Sequence, residues 1–334
     1  LEKELPARLH TLLYDDLVPR PSHVLSATLA GFIPNSWLPR DYTSDTPDPT
    51  TVTPPTPIPS QSLRLPIAHH LAYFNPALPF PVLLPDGTDP SQSPGAPFVR
   101  RMWAGGRVYF GREGLKLDGS RAVCVEGIRD VRIAGPEGAE KVFVGIERRM
   151  TRVGDGEGDE EVRGRVWDAL EGERGVEVVE RRNIVFMRER SAEELEALKR
   201  GEAPVAKVLK ATKTPTFTHT LTPTASLLFR YSALTFNAHA IHLDPHYCRT
   251  VEGHRGLLFH GPLSFTLLAT MLQAQVAAHP RWRGIEWIEY RNLAPLYAEE
   301  EMRLCGTEVG EEGKFEVWVE GPNGGVAVRG TAKV

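Results

Sequence analysis

Residues 261–280 read GPLSFTLLATMLQAQVAAHP, and this stretch predicts a long helix that is enclosed by other structure. Pro262 fits the first turn of a helix, where its missing N–H is tolerated, and Pro280 ends the helix. Apolar side chains cover nearly every face, at Leu263, Phe265, Leu267, Leu268, Met271, Leu272 and Val276. Because a helix that is apolar all round must be buried, we expect a curved sheet to wrap around it.

Strand patterns supply such a sheet twice along the chain. After the helix, short strands joined by Gly-containing turns are predicted at 284–293, 301–309, 314–320 and 326–333. Before it, strands in a similar order and turn spacing are predicted at 101–110, 120–133, 141–150 and 176–188. The chain is therefore predicted to be an α+β protein with two similar antiparallel units in tandem.

The length of 334 residues allows two domains of ordinary size. We expect an N-terminal domain over residues 1–190, a linker over 191–204 and a C-terminal domain over 205–334. The N-terminal domain carries a Pro-rich loop at 39–66 and an acidic, Gly-rich insertion at 155–173 that we expect to be exposed. This domain lacks the histidine motif described below, so we predict that it is non-catalytic and shapes the substrate pocket.

Two further helices are predicted near the ends of the N-terminal domain. Residues 1–16 place Leu5, Leu9, Leu12 and Leu13 on one helical face. Ser191, followed three residues later by Glu194, has the spacing of a capping box and should start a short linker helix that ends near Lys199.

Composition excludes several classes of function. The net charge of −4 gives no basis for a nucleic-acid partner, and no apolar run approaches the length that membrane insertion requires. Three widely separated cysteines favour a reducing compartment over a disulfide framework. The chain has no Gly-rich dinucleotide motif, so we expect no nicotinamide or flavin cofactor.

The segment directly before the apolar helix concentrates groups suited to proton transfer. Residues 231–262 read YSALTFNAHAIHLDPHYCRTVEGHRGLLFHGP and contain Asn237, His239, His242, Asp244, His246, His254 and His260. Imidazole titrates near neutral pH, and the first backbone N–H groups of a helix can stabilise a developing oxyanion. A base, an orienting amide and an oxyanion donor are therefore predicted to meet at the start of this helix.

These residues resemble the hydratase motif of MaoC-type hot-dog proteins, in which D-x-N-P-I-H-x-D precedes H-G-M-L. Here residues 237–244 read NAHAIHLD and residues 260–263 read HGPL. The segments YSALTFNAHAIHLD, HGPLSFTLLATML and YRNLAPLYAEEEMRLCG are similar to those of two-domain hydroxyacyl-thioester dehydratases of type 2. That family includes mitochondrial fatty-acid-synthesis dehydratases and mesaconyl-type CoA hydratases. The resemblance is strong over 229–306 and weaker over 66–149. It implies a tandem double hot-dog fold, in which each half is an antiparallel sheet wrapped around a central helix.

The resemblance also implies catalytic roles. The catalytic histidine of the motif falls on His242, and the position of its catalytic aspartate is occupied by Asn237. Asn237 cannot transfer protons, so it would orient the water or hydroxyl while His242 acts as both base and acid. The Gly261 N–H would be the oxyanion donor. The expected reaction is reversible dehydration of (3R)-3-hydroxyacyl thioesters to trans-2-enoyl thioesters, catalysed by a hydro-lyase.

No cofactor is expected, since a CoA or phosphopantetheine thioester would be the substrate. Arginine side chains suit the phosphates of either arm. The candidate substrate-binding residues are Tyr231, His260, Arg291, Asn292, Trp103 and Arg107.

Three alternatives stay open from the sequence. One is a short-chain mesaconyl- or enoyl-CoA hydratase, and another is a non-catalytic acyl-thioester-binding hot-dog protein. A metal-dependent hydrolase would use the spacings His239-x-x-His242 and His242-x-x-x-His246. However, no glutamate lies between these histidines and Pro245 interrupts a helix here, so we predict no metal site.

Partner and compartment are the least determined features. The chain begins at Leu1, which would fit a cleaved targeting segment or a trimmed sequence. Together with the Pro-rich loop, this leads us to expect a mitochondrial matrix enzyme, with the bacterial cytoplasm as the alternative. The expected partner is an acyl-carrier protein or an acyl-CoA substrate, and Arg100, Arg101 and Arg107 near Trp103 could form the basic site for an acidic carrier. A monomer of two hot-dogs and a homodimer are both compatible with the sequence.

Overall fold

A ten-stranded antiparallel sheet dominates the computed structural model, which describes residues 1–39, 63–169, 175–200, 202 and 208–334. Its strands are β1 (Thr11–Asp16), β3 (Arg100–Phe110), β5 (Arg121–Ala134), β6 (Lys141–Arg152), β7 (Val178–Met187), β8 (Phe217–Leu221), β9 (Trp287–Asn292), β10 (Met302–Glu308), β11 (Lys314–Glu320) and β12 (Val326–Lys333). A separate two-stranded ribbon pairs β2 (Leu63–Arg64) with β4 (Lys116–Leu117). The eight strands predicted from the sequence are all present.

The strand order is β1-β5-β6-β7-β3-β9-β12-β11-β10-β8, so five strands of each half lie side by side. The halves join where β3 pairs with β9, from Gly105 opposite Arg291 to Tyr109 opposite Trp287. Gly105 has a φ of +139°, and a Cβ there would lie 2.2 Å from the carbonyl oxygen of Tyr290. Only glycine fits this close approach, so the joint between the halves depends on it.

In the described ranges the α-helices that accompany the sheet are α1 (Pro19–Leu29), α2 (Asp159–Asp168), α3 (Ala192–Lys199), α4 (Ala225–Leu234), α5 (Pro245–Tyr247) and α6 (Gly261–Ala277). Helix α6 is the predicted apolar helix, and eleven of its residues are buried. It packs against β3, β9, β10 and β11. The sheet of the C-terminal half thus encloses α6, as its all-round apolar surface requires.

The two halves are not equivalent. The C-terminal half has the 17-residue helix α6. In the described part of the N-terminal half, the buried segment beside α6 is a four-residue 3-10 helix, His69–Ala72, and His70 contacts Phe265 of α6 edge to face. In the described residues, the N-terminal half therefore contributes a short 3-10 helix to this packing, where the C-terminal half contributes a long α-helix.

Two segments differ from their predictions. Residues 11–16 form strand β1 rather than a helix, because they pair with β5 at the edge of the sheet. Tertiary pairing overrides a local leucine spacing of this kind. The acidic segment contains α2, which is not simply exposed, since Val162 and Val166 are fully buried against the sheet.

The short helix predicted after Ser191 is present as α3, and its predicted capping box is formed. The Ser191 side chain accepts a hydrogen bond from the Glu194 backbone, and the Glu194 carboxylate accepts one from the Ser191 backbone. Most of the Pro-rich loop, residues 40–62, lies outside the described residues, as do 170–174, 201 and 203–207. The domain boundaries stay a prediction.

Candidate active site

A cavity of about 560 Å³ opens between the two halves. Its walls are mainly apolar and come from both halves, including Leu71, Met102, Ile184, Phe229, Leu258 and Phe259. A cavity of this size and lining suits an acyl chain.

The turn after α4 brings residues 237–260, which we call the histidine segment, to this cavity. The Thr224 side chain caps α4, and the helix ends at Leu234. Asn237 then closes a turn, because its Oδ1 accepts a hydrogen bond of 3.1 Å from the His239 backbone N–H. The following 3-10 helix, Ala240–His242, brings the His242 ring to the cavity wall.

The hydrogen bond of His242 fixes which nitrogen can act as a base. Its Nδ1 lies 2.8 Å from the carbonyl oxygen of Leu258. A carbonyl oxygen only accepts, so Nδ1 carries the proton and Nε2 keeps a lone pair in the neutral ring. Burial lowers the pKa of His242 to about 4, although the Leu258 carbonyl acts in the opposite direction. The ring is therefore neutral, and able to accept a proton, at pH 7.

The His260 ring stacks on the His242 ring and does not itself line the cavity. The two rings stack with centroids 3.6 Å apart, and His260 Nε2 shares a 2.8 Å hydrogen bond with Ser232 Oγ. Burial lowers the pKa of His260 well below its ordinary value, and His242 and His239 lower it further. A fully buried neutral ring in this position holds His242 against the start of α6.

Gly261 is the first residue of α6, so its N–H has no acceptor within the helix. Asn292 and Trp103 pack tightly on it: a Cβ at Gly261 would lie 2.6 Å from Asn292 Nδ2 and 3.1 Å from Trp103 Cβ. Asn292 Nδ2 donates a 2.8 Å hydrogen bond to the carbonyl of Trp103, and Trp103 Nε1 donates one of 2.8 Å to Tyr290 Oη. β3 and β9 therefore fix the helix start at their junction.

Most of the predicted site residues lie together. Those that line the cavity are Asn237, His242, Gly261, Tyr231, Asn292 and Trp103. His260 lies directly behind His242.

Arg107 and Arg291 do not line the cavity. Arg107 is 3.3 Å from Glu289 and lies over the ring of Trp287, and Arg291 is exposed. Successive strand residues face opposite sides of a sheet, so the buried Val108 and Tyr290 next to them take the inner face. The predicted basic site is also partly neutralised, since Arg100 pairs with Glu252 at 2.7 Å and Arg101 lies 3.9 Å from Asp86.

Several cavity residues had no signal in the sequence. They come from the N-terminal half and include Gln92, Glu126 and Arg182. Their position depends on how the halves pack, which no local motif encodes.

Among the described residues, no group of three His, Cys, Asp or Glu side chains is arranged to hold a metal ion. His242 Nδ1 is bonded to a carbonyl, and His246 is exposed. Within the same described ranges, no helix has the length and apolarity to cross a membrane.

Structural comparison identifies the fold. A MaoC-like dehydratase from Phytophthora capsici superposes with a TM-score of 0.58 at 13% identity, covering 99% of this chain and 97% of the other. HtdX from Mycobacterium tuberculosis superposes with a TM-score of 0.53 at 14% identity, covering 98% and 99%. The predicted α+β double hot-dog fold is thereby confirmed.

Sequence comparison identifies the family. The chain is 29% identical over 290 residues to mesaconyl-C(4)-CoA hydratase of Chloroflexus aurantiacus, covering 85% of this chain and 89% of the relative. It is 26% identical over 318 residues to the mitochondrial hydroxyacyl-thioester dehydratase type 2 of Schizosaccharomyces pombe, covering 92% of each. The sequence model of the family hydroxyacyl-thioester dehydratase type 2 matches residues 68–298. The prediction of a hydro-lyase is confirmed, and the chain belongs to the hydroxyacyl-thioester dehydratase type 2 family.

Proposed function

We propose that the protein catalyses the reversible dehydration of (3R)-3-hydroxyacyl thioesters to trans-2-enoyl thioesters, with His242, Asn237 and Gly261 as its catalytic residues. The observation that carries this proposal is the neutral His242 ring, with Nε2 free to act as a base, beside the N-terminus of α6 in an apolar cavity. A dehydratase needs these features: a base for the α-proton, a donor to the thioester oxygen and room for an acyl chain.

In the dehydration direction, His242 Nε2 removes the α-proton. The negative charge that develops on the thioester oxygen is stabilised by the Gly261 N–H and by the positive end of the α6 dipole. The His242 imidazolium then gives its proton to the departing hydroxyl, which leaves as water, and the ring returns to its neutral form. Asn237 Nδ2 orients the hydroxyl, and no cofactor takes part.

Gly261→Ala should lower the hydration rate of an enoyl-CoA by about 10- to 100-fold, the cost of misplacing a reacting group by about 1 Å. The added Cβ would displace Asn292 or Trp103 and move the N–H that faces the thioester. Gly256→Ala is the matched control, because a Cβ there meets nothing within 4 Å. Steady-state kinetics of both variants would decide, and equal rates for the two would remove the helix start from the mechanism.

The biological setting that we propose is mitochondrial fatty-acid synthesis in the matrix, with an acyl-carrier protein presenting the substrate. The relative from S. pombe, which is named mitochondrial, and the apolar lining of the cavity support this setting.

One observation favours a second candidate, hydration of a short branched dicarboxylic CoA ester. Arg182 and Gln92 line the cavity, and Arg182 Nε is buried without a hydrogen-bond partner, so it could bind a distal carboxylate. Against this, Arg182 already donates a 2.8 Å hydrogen bond to Glu180.

One experiment separates these candidates. The value of kcat/KM for hydration should be compared for matched CoA and carrier-protein enoyl thioesters, from short to long chains, at low and high salt, and for mesaconyl-CoA. We expect the carrier-linked straight chains to be favoured at low salt. A preference for mesaconyl-CoA would support the second candidate, and tight binding of every thioester without turnover would show a non-catalytic binding protein.

A further inference from the structure

Asp86, in a loop of the N-terminal half, places a carboxylate oxygen beside the histidine segment. Its Oδ1 accepts hydrogen bonds from the backbone N–H and the hydroxyl of Thr88, at 3.0 and 2.5 Å. Its Oδ2 is buried and has no hydrogen-bond partner, although it lies 3.5 Å from His239 Nε2 and 3.9 Å from Arg101 Nε. A buried acceptor without a hydrogen bond is costly, so its presence calls for an explanation, and a catalytic role is one such explanation.

The loop is docked so that Asp86 cannot easily shift. The Asp86 carbonyl accepts a 2.9 Å hydrogen bond from the Ala240 N–H, within the histidine segment. Gly87 follows with a φ of +82°, and a Cβ there would lie 2.2 Å from the Ala238 carbonyl oxygen. The close contact between the two segments thus depends on a glycine directly after the carboxylate.

His239 lies between Asp86 and the reacting centre. It lines the cavity, and its ring centroid is 5.7 Å from that of His242. Burial, with His242 and Arg101 adding to it, lowers the pKa of His239 well below its ordinary value, so the ring is neutral at pH 7. A neutral imidazole has one N–H and one lone pair, and the nearby carboxylate favours the proton on Nε2. His239 Nδ1 is then an acceptor.

We infer that His239 is a further catalytic residue, which accepts a hydrogen bond from the hydroxyl that leaves as water, and that Asp86 is the positioning residue that sets its tautomer. The inference rests on the proposed dehydratase function. Asn237 Nδ2 donates to the hydroxyl oxygen while His239 Nδ1 accepts the hydroxyl hydrogen, so the two residues orient one O–H group. His239 transfers no proton: His242 removes the α-proton and returns it to the departing oxygen as the Cβ–O bond breaks. The N-terminal half thereby contributes to the chemistry.

The test compares two leaving groups in the full-length protein. The first substrate is a (3R)-3-hydroxyacyl-CoA, and the second is the 3-chloroacyl-CoA of the same chain length. Chloride leaves with the C–Cl electron pair and needs neither an O–H contact nor a proton, so its elimination requires only the base His242 and the oxyanion donor. The variants are His239→Phe, which keeps an aromatic ring but loses the acceptor, and Asp86→Asn, which can donate to Nε2 and so moves the proton to Nδ1.

Both variants should lose about 100-fold in kcat for the hydroxy substrate, the scale of one lost polar contact in the transition state. Both should stay within threefold of wild type for the chloro substrate, which also shows that they are folded. His239→Gln, which retains an acceptor oxygen, should recover part of the hydroxy activity.

Three outcomes would overturn the inference: equal losses on both substrates, unchanged hydroxy activity in both variants, or a wild-type protein that eliminates water but not chloride. A wild-type protein that is inactive on both substrates would instead refute the proposed function itself.

Discussion

His242→Gln should lower enoyl-CoA hydration by about 10²- to 10⁴-fold, the contribution of a positioned general acid–base group. Glutamine can keep the hydrogen bond from the side chain to the Leu258 carbonyl, so the fold of the segment should survive. Glutamine has no group that titrates, so it can neither remove the α-proton nor protonate the leaving hydroxyl. Steady-state rates, together with thermal unfolding of both proteins, measure the effect.

His246→Gln is the matched control for this variant. His246 belongs to the same segment, but its side chain is exposed, so its replacement should leave the rate unchanged. A His242→Gln protein with more than a tenth of the wild-type rate would contradict the assignment of His242 as the base.

Arg148→Ala should have the largest effect on stability. The Arg148 side chain is 1% exposed. Its Nε lies 2.9 Å from a carboxylate oxygen of Glu126, and its Nη1 lies 3.3 Å from one of Glu180. Its Nη2 donates a 2.7 Å hydrogen bond to the Phe74 carbonyl. Removing it leaves two buried carboxylates without their shared cation. Breaking a buried ion pair in this way costs about 3–5 kcal/mol, whereas the exposed pair of Arg121 with Asp16 should contribute under about 1 kcal/mol. Urea unfolding of Arg148→Ala and Arg121→Ala gives both free energies.

The pH dependence of the stability lost in Arg148→Ala shows whether the lost charge interactions or the lost packing causes it. Burial by itself would raise the pKa of Glu180, but Arg182, His70 and Arg148 lower it to about 2. The stability that this depressed pKa provides is fully present above the ordinary value of 4.5 and is lost as the pH falls towards 2. In Arg148→Ala, Glu180 loses a favourable charge and should protonate more readily. The difference between variant and wild type should therefore shrink as the pH drops below about 5. A difference independent of pH would mean that lost packing causes it.

The sequence alone was sufficient for the elements whose signals are local. Helix α6 follows from Pro262 and an apolar surface on all sides, and the strands follow from short β-rich runs between glycine turns. The same holds for His242 and Gly261, which are close in the chain and are brought together by one turn and one helix start. Short-range geometry of this kind is set by backbone dihedrals and caps, which residue types encode directly.

The sequence prediction failed where sheet pairing decided the outcome. Leucines near the N-terminus suggested a helix, but the segment 11–16 satisfies its backbone hydrogen bonds at the edge of β5. Arg107 and Arg291 were expected near the substrate, yet β3 and β9 pair so that both lie on the outer face, opposite the cavity. Side chains along a strand alternate between the two faces of the sheet, and an argument from residue type cannot choose which face Arg107 and Arg291 take.

Asp86 shows most clearly what only the tertiary structure decided. The motif by itself predicted a base at His242, an amide at Asn237 and a helix start at Gly261, because these residues lie within one short segment. The partner of His239 comes from a loop in the other half of the chain, docked through Gly87 and the Ala240 N–H. Likewise, Trp103 and Asn292 reach Gly261 only because two distant strands pair at the joint between the halves. Neighbouring residues in the sequence determine which chemical groups lie at the site. The contacts that orient those groups depend on which distant surfaces pack together when the chain buries its apolar area.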